Sequence, residues 1–175
     1  MTARTAGFLF LGALTALTIG CGKKTASTDE KPAGPDDKAA LQGKWVIVKV
    51  EVPPGEAAPP AEAFKDVEIS VRDNLVRITK GGEAEAFHAV FTLDGGKSPK
   101  ELDLTESDEH GNPEARTLPT GKGKAMMAIY KLDGETLVIA APPKPGEARP
   151  TEFQPTPRTP DRKGGVGVVH LKKQN

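Results

Sequence analysis

The chain has 175 residues, 37% hydrophobic and 27% charged, which suits one globular domain with extensions and argues against two. Its 24 basic and 24 acidic side chains cancel, so it lacks the electrostatic footprint that would draw a protein onto nucleic acid. The 19 glycines and 16 prolines cluster between short apolar runs, a pattern of many strands and turns with few long helices.

One positive charge, Arg4, precedes an uncharged run over 5–20 with its apolar heart at 8–19. The run has signal-peptide length and falls short of the roughly 20 apolar residues that a spanning helix needs. At its end, "LTIGC" resembles the bacterial lipoprotein lipobox, with small Gly20 before Cys21 and a departure at Thr18, where that motif usually has leucine. The resemblance implies cleavage before Cys21, a diacylglycerol on its thiol and a protein tethered to the membrane of the cell envelope, on the periplasmic side or the outer membrane. An ordinary signal peptide, or an uncleaved anchor with an incidental cysteine, is the alternative. Cys21 is the only cysteine and so cannot form an internal disulfide. The following "CGKKTAST" offers no His or Cys partner for a zinc site or an activated thiol.

Residues 1–20 are therefore expected to be a signal peptide and 21–40 a flexible tether, because 22–40 contains no large apolar side chain to offset the cost of ordering. The folded domain is expected over 41–175. It begins at "LQGKWVIVKVEV", a strand with Val46, Val48, Val50 and Val52 on one face and Trp45 and Ile47 starting the other. "PPGEAAPP" ends that strand, and "PAEAFKDV" permits a helical turn. "VEISVRDNLVRITKGG" reads as a hairpin around Arg72, Asp73 and Asn74, and "EAFHAVFTLDGG" places Phe87, Ala89, Phe91 and Leu93 on one face. "ELDLT" is a short strand followed by a polar loop. In "AMMAIYKLDGETLVIAAPP", Asp133 and Gly134 supply the turn of a second hairpin. The proline-rich segment 142–160 cannot be a central strand; it is expected to cross the end of the sheet with Phe153 pointing inward. "GVGVVHLKK" closes the domain.

These elements predict an all-β domain of about eight strands, most simply a small antiparallel up-and-down β-barrel, with a two-sheet β-sandwich as the alternative. Such a barrel is either filled by side chains or holds one small ligand. Taken together, "LQGKWVIVKVEV", "AIYKLDGETLVIAAPP" and "RPTEF" resemble an uncharacterised lipocalin-like domain family of secreted and anchored proteins in planctomycete bacteria, over roughly 41–173. The resemblance implies a small β-barrel or half-barrel and no particular activity. Gly43-Lys44-Trp45 also matches the Gly-x-Trp start of lipocalins, where the tryptophan closes the barrel base under an arginine. By that likeness Arg149 is the candidate arginine, with Arg158 and Arg162 behind it.

Chemistry-bearing clusters are sparse. His88 and His170 sit on strand-like runs, where packing or surface roles are the ordinary explanation. Asp108, Glu109, His110 and Glu114 share a loop but match neither a calcium loop nor a paired-histidine spacing, and a solvated acidic loop is expected. Asp103 and Glu106 could act as a carboxylate pair, and Met126 and Met127 could suggest a soft-metal site, but adjacent strand residues face opposite ways. Nucleophile-elbow, zincin and phosphate-loop motifs are missing from the sequence. The expectation is a non-catalytic, cofactor-free and metal-free binding or interaction module of the envelope. Its interior candidates are Trp45, Phe87, Phe91, Tyr130 and Phe153, and its partner is either a small apolar ligand or an envelope protein or polysaccharide. Loops 106–124 and 142–165 are the candidate partner surface. An envelope hydrolase assembled only in three dimensions is the remote rival.

Overall fold

The computed structural model describes residues 35–81, 87–113, 124–160 and 164–174. The signal-like run, Cys21, residues 21–34 of the expected tether, Glu114 and Arg162 lie outside these residues. The elements are α1 (Pro35–Leu41), β1 (Gly43–Glu51), a 3-10 turn (Ala61–Phe64), β2 (Val67–Arg72), β3 (Leu75–Lys80), β4 (Phe87–Asp94), β5 (Lys100–Glu106), β6 (Met126–Asp133), β7 (Thr136–Ala141) and β8 (Gly167–Gln174). Each strand pairs antiparallel with the next, and β8 returns to β1, which closes an up-and-down barrel of eight strands. Closure, which leaves no sheet edge exposed, sets the sandwich alternative aside.

Period-two alternation fills the interior. On β4, Ala89 and Phe91 are buried in the core and Leu93 packs against it, while Thr92 is exposed on the outer side. The hairpins form where turn chemistry allows. Asp73 adopts φ 57°, a left-handed conformation that aspartate tolerates better than most residues, between the paired Arg72 and Leu75. In the second hairpin Asp133 still pairs with Thr136, so the loop is Gly134-Glu135 and the positive φ, 56°, falls on Gly134. The turn thus lies one residue later than the Asp-Gly signal suggests.

Three features depart from the sequence expectations. First, the tether does not run through Ala40, because residues 35–41 fold into α1 against the barrel. Second, the valines of β1 do not keep one face. The register slips between Ile47 and Lys49, so Val48 is left outside the ladder and 58% exposed. Beyond this bulge Val50 pairs with Val169, which packs on the interior core, so the inner side passes from odd to even positions. Third, residues 142–160 do not bring Phe153 inward. With 164–166 they fold along the outer surface of β6 to β8, where Phe153 and Val138 pack on a second cluster of Ile129, Ala140, Val166 and Val168. The cause is visible in "AMMAIY" and "TLVIAA", which are apolar on both faces; their outer side chains need a cover. Proline suits the cover because, among the described residues, its one ladder contact is the isolated bridge between Thr156 and Val166, outside the barrel strands. Gly165 permits close packing there, since a Cβ at that position would lie 2.3 Å from the Thr156 carbonyl oxygen and 2.4 Å from the Pro53 ring.

Candidate functional site

The alternating inner faces enclose one apolar lumen. At the base end, Trp45 is fully buried; its indole Nε1–H donates to the Leu41 carbonyl at 2.8 Å, tying the barrel wall to the end of α1. The cation over the ring is Lys173, 5.7 Å from the ring centroid, whose Nζ also donates to the Ala40 carbonyl at 2.9 Å. Arg149 is elsewhere. It lies on the outer side of β5 and β6, where it donates to Asp103 Oδ1 at 2.7 Å and to the carbonyls of Leu102 and Ala128, with Glu101 3.4 Å away. The lipocalin-derived expectation for Arg149 is therefore corrected. A lysine at the end of β8 reaches Trp45 because Lys173 is paired with Trp45 across the β1–β8 ladder, whereas outward-facing Asp103 captures the guanidinium.

A second contact seals the base. Tyr130 points inward from β6, and its hydroxyl donates to Asp37 Oδ2 at 2.7 Å. Lys100 Nζ donates to the same oxygen at 2.8 Å and stands 5.9 Å from the Tyr130 ring centroid. Burial, with the neighbouring Asp37 carboxylate, raises the Tyr130 pKa well above the ordinary tyrosine value and keeps the hydroxyl protonated. Gln42 completes the seal, donating to the Asp73 carbonyl at 3.0 Å and accepting from the Asp73 N–H at 2.7 Å, which clamps the β2–β3 turn to the end of α1.

Above this floor lies a cavity of about 130 Å³, bordered by Trp45, Phe91 and Tyr130 below and by Ile78, Ile139 and Phe87 toward the mouth. Apart from the Tyr130 hydroxyl, engaged by Asp37, and the Trp45 indole N–H, engaged by Leu41, its walls are aliphatic and aromatic carbon. Phe87 marks the rim and is 40% exposed. Of the five aromatic interior candidates, Trp45, Phe87, Phe91 and Tyr130 thus come together around one space, and Phe153 does not. The sequence reading missed Asp37, Leu41 and Lys173 as parts of the site. "PDD" opening a short helix, with proline at its first position and acids in its first turn, was the available signal.

The polar candidates are dispersed. Asp108 accepts from the Asn112 N–H at 2.8 Å, the Asn112 side-chain amide at 3.0 Å and the His110 N–H at 2.9 Å; the Asn112 bonds chiefly hold its carboxyl below the usual range. Glu109 and His110 project into solvent 3.5 Å apart. Asp103 faces outward, whereas Glu106 pairs with inward-facing Ala89, so the two carboxylates occupy opposite sides of β5. Met126 and Met127 likewise diverge, pairing with inward Leu104 and outward Asp103. His170 Nε2 lies 2.7 Å from Glu51 Oε1 on the outer surface, and Lys49 Nζ lies 3.0 Å from the same oxygen; Lys49 and then His170 lower the Glu51 pKa. Among the described residues, no three His, Cys, Asp or Glu side chains are grouped to hold a metal ion.

Fold and lumen together define the class: a small all-β protein built as a closed, lipocalin-like eight-stranded barrel around an apolar space. Beyond that class, comparison with family models, with curated proteins and with solved structures finds no match to the chain.

Proposed function

We propose that the protein is an exported lipoprotein, anchored to the bacterial cell envelope through Cys21, whose lipocalin-like domain is a non-catalytic module that works mainly through its surface. The observation that carries this reading is the lumen. At about 130 Å³ it is smaller than the roughly 300–1,000 Å³ typical of sites for drug-sized ligands, and its walls give a reacting group nothing to polarise or protonate it. A sealed base and a small interior make a rigid stage for the connections at the mouth, described over 106–113 and 142–160, which face envelope proteins or polysaccharide. The resemblance of the strand motifs and "RPTEF" to a lipocalin-like family of secreted and anchored planctomycete proteins fits the same placement.

One observation favours a second reading as carrier of a small apolar ligand. Dry apolar cavities of about 150 Å³ accept guests of benzene size, and Phe87 stands at the rim of a space only slightly smaller. Native mass spectrometry of the protein purified from its own envelope separates the readings. The first expects a diacylglycerol adduct at Cys21, an empty lumen and a co-purifying macromolecule. An apolar adduct released on unfolding favours the carrier, and an unmodified Cys21 removes the anchor.

A further inference from the structure

A basic groove crosses the outer face of the barrel at its base end. Register sets Lys44 beside Ser70, Ser70 beside Arg77 and Arg77 beside His88, one row over β1 to β4. The groove holds about 540 Å³ between Gln42, Lys44, Ser70, Arg72, Leu75 and Arg77. Lys44 is paired with Glu68 at 3.0 Å, whereas the guanidinium groups of Arg72 and Arg77 have no hydrogen bond or ion pair among the described residues. We propose that this groove seats the barrel, base down, on the anionic headgroups of the bilayer that holds the anchor. The proposal rests on the anchored reading of Cys21.

Two observations support this occupant. The chain enters the domain at the base: α1 leads directly into Gln42 and Lys44 at one end of the groove. Between Cys21 and α1 stand only residues 22–34, whose fully extended reach of roughly 45 Å keeps the base within contact range of the membrane. Near the base Lys97, Lys131 and Lys172 stand among Asp94, Asp133 and Glu135, so the attraction to an anionic surface is local to the groove and its two arginines. Guanidinium groups, with five donors in a planar fork, suit phosphate oxygens.

The single native cysteine provides the test, because acylation blocks Cys21 and leaves an introduced cysteine as the only reactive thiol. Full-length protein carrying Ser70→Cys or Glu56→Cys is fluorescently labelled and reconstituted into vesicles whose headgroups bear a quencher, made of phosphatidylcholine alone or mixed with phosphatidylglycerol. Docking predicts strong quenching at position 70 only in the anionic vesicles, little at position 56, and reversal by high salt. Arg72→Gln and Arg77→Gln should each lower the docked fraction about fivefold relative to the undocked, with the circular dichroism spectrum unchanged. Equal quenching in both lipids, equal quenching at both positions, or indifference to the arginine changes overturns the proposal. So does displacement by inorganic phosphate where chloride of equal ionic strength has no effect, which marks a site for soluble anions. Intact mass reads the anchor separately: an unmodified Cys21 defeats the anchored reading, and flotation of the same protein with anionic vesicles still decides the groove.

Discussion

The two ends of the barrel are closed by different means. At the base, polar groups are spent on named partners: the Trp45 indole on Leu41, Lys173 on Ala40, and Tyr130 and Lys100 on Asp37. Toward the mouth, shape does the work, with Gly165 lodged against Pro53 and the Thr156 carbonyl on one side and the half-exposed Phe87 ring on the other. Directional contacts hold one geometry, whereas a rim of apolar and small residues can yield without leaving a buried donor unpaired. The contrast makes the base the rigid end and the Phe87 side of the mouth the end that admits change.

Breaking the base is expected to cost most. Trp45→Ala removes a fully buried ring, an indole hydrogen bond and the surface under Lys173, and should destabilise by about 3–5 kcal/mol, read as a large fall in the thermal midpoint. A negligible shift would remove Trp45 from the base. At the mouth, Gly165→Ala forces a methyl against backbone and ring and should cost about 1–3 kcal/mol in urea unfolding. Phe153→Ala tests the outer cover, with an expected loss of about 1–2 kcal/mol for a half-buried ring. Because Phe153 lies outside the lumen, uptake of xenon or benzene should be unchanged; altered uptake would place the ring in the wrong compartment.

Tyr130→Phe sharpens the base further, at about 1 kcal/mol for one hydrogen bond. The folded pKa of Tyr130 lies above the ordinary value of 10.0, so the folded state binds this proton more tightly than the unfolded chain does. The associated stability is therefore complete below about pH 10 and lost as pH rises beyond it. Thermal midpoints measured across that alkaline range should fall more steeply for the native protein than for Tyr130→Phe, and parallel curves would refute the assignment. Smallest of all, Phe87→Ala should change stability by no more than about 0.5 kcal/mol while speeding xenon exchange with the lumen. An unchanged exchange rate would mean that Phe87 does not guard the way in.

Much of the barrel could be read from the sequence because alternation is a local property. Phe87, Ala89, Phe91 and Leu93 announce an inner face whatever the neighbouring strands do. The site was only half legible. Trp45, Phe91 and Tyr130 stand out by size and position, but Asp37 sits in a stretch without large apolar groups, and seven-residue α1 is too short to persist without the barrel beneath it. Arg149 shows the limit of analogy, since which cation covers an indole depends on strand register, and register puts Lys173 there.

The amino-acid order by itself determined the all-β class, the number of strands and the two tight hairpins, since each follows from side-chain period and from residues able to take a turn's backbone angles. Tertiary structure alone decided how β1 bulges at Val48, that α1 plugs the base and that 142–160 covers an outer wall. It also brought Arg72 and Arg77 into one groove. These outcomes depend on contacts between residues far apart in the chain, chosen by barrel closure and by apolar surface left uncovered on both sides of β6 to β8, and no local pattern encodes them.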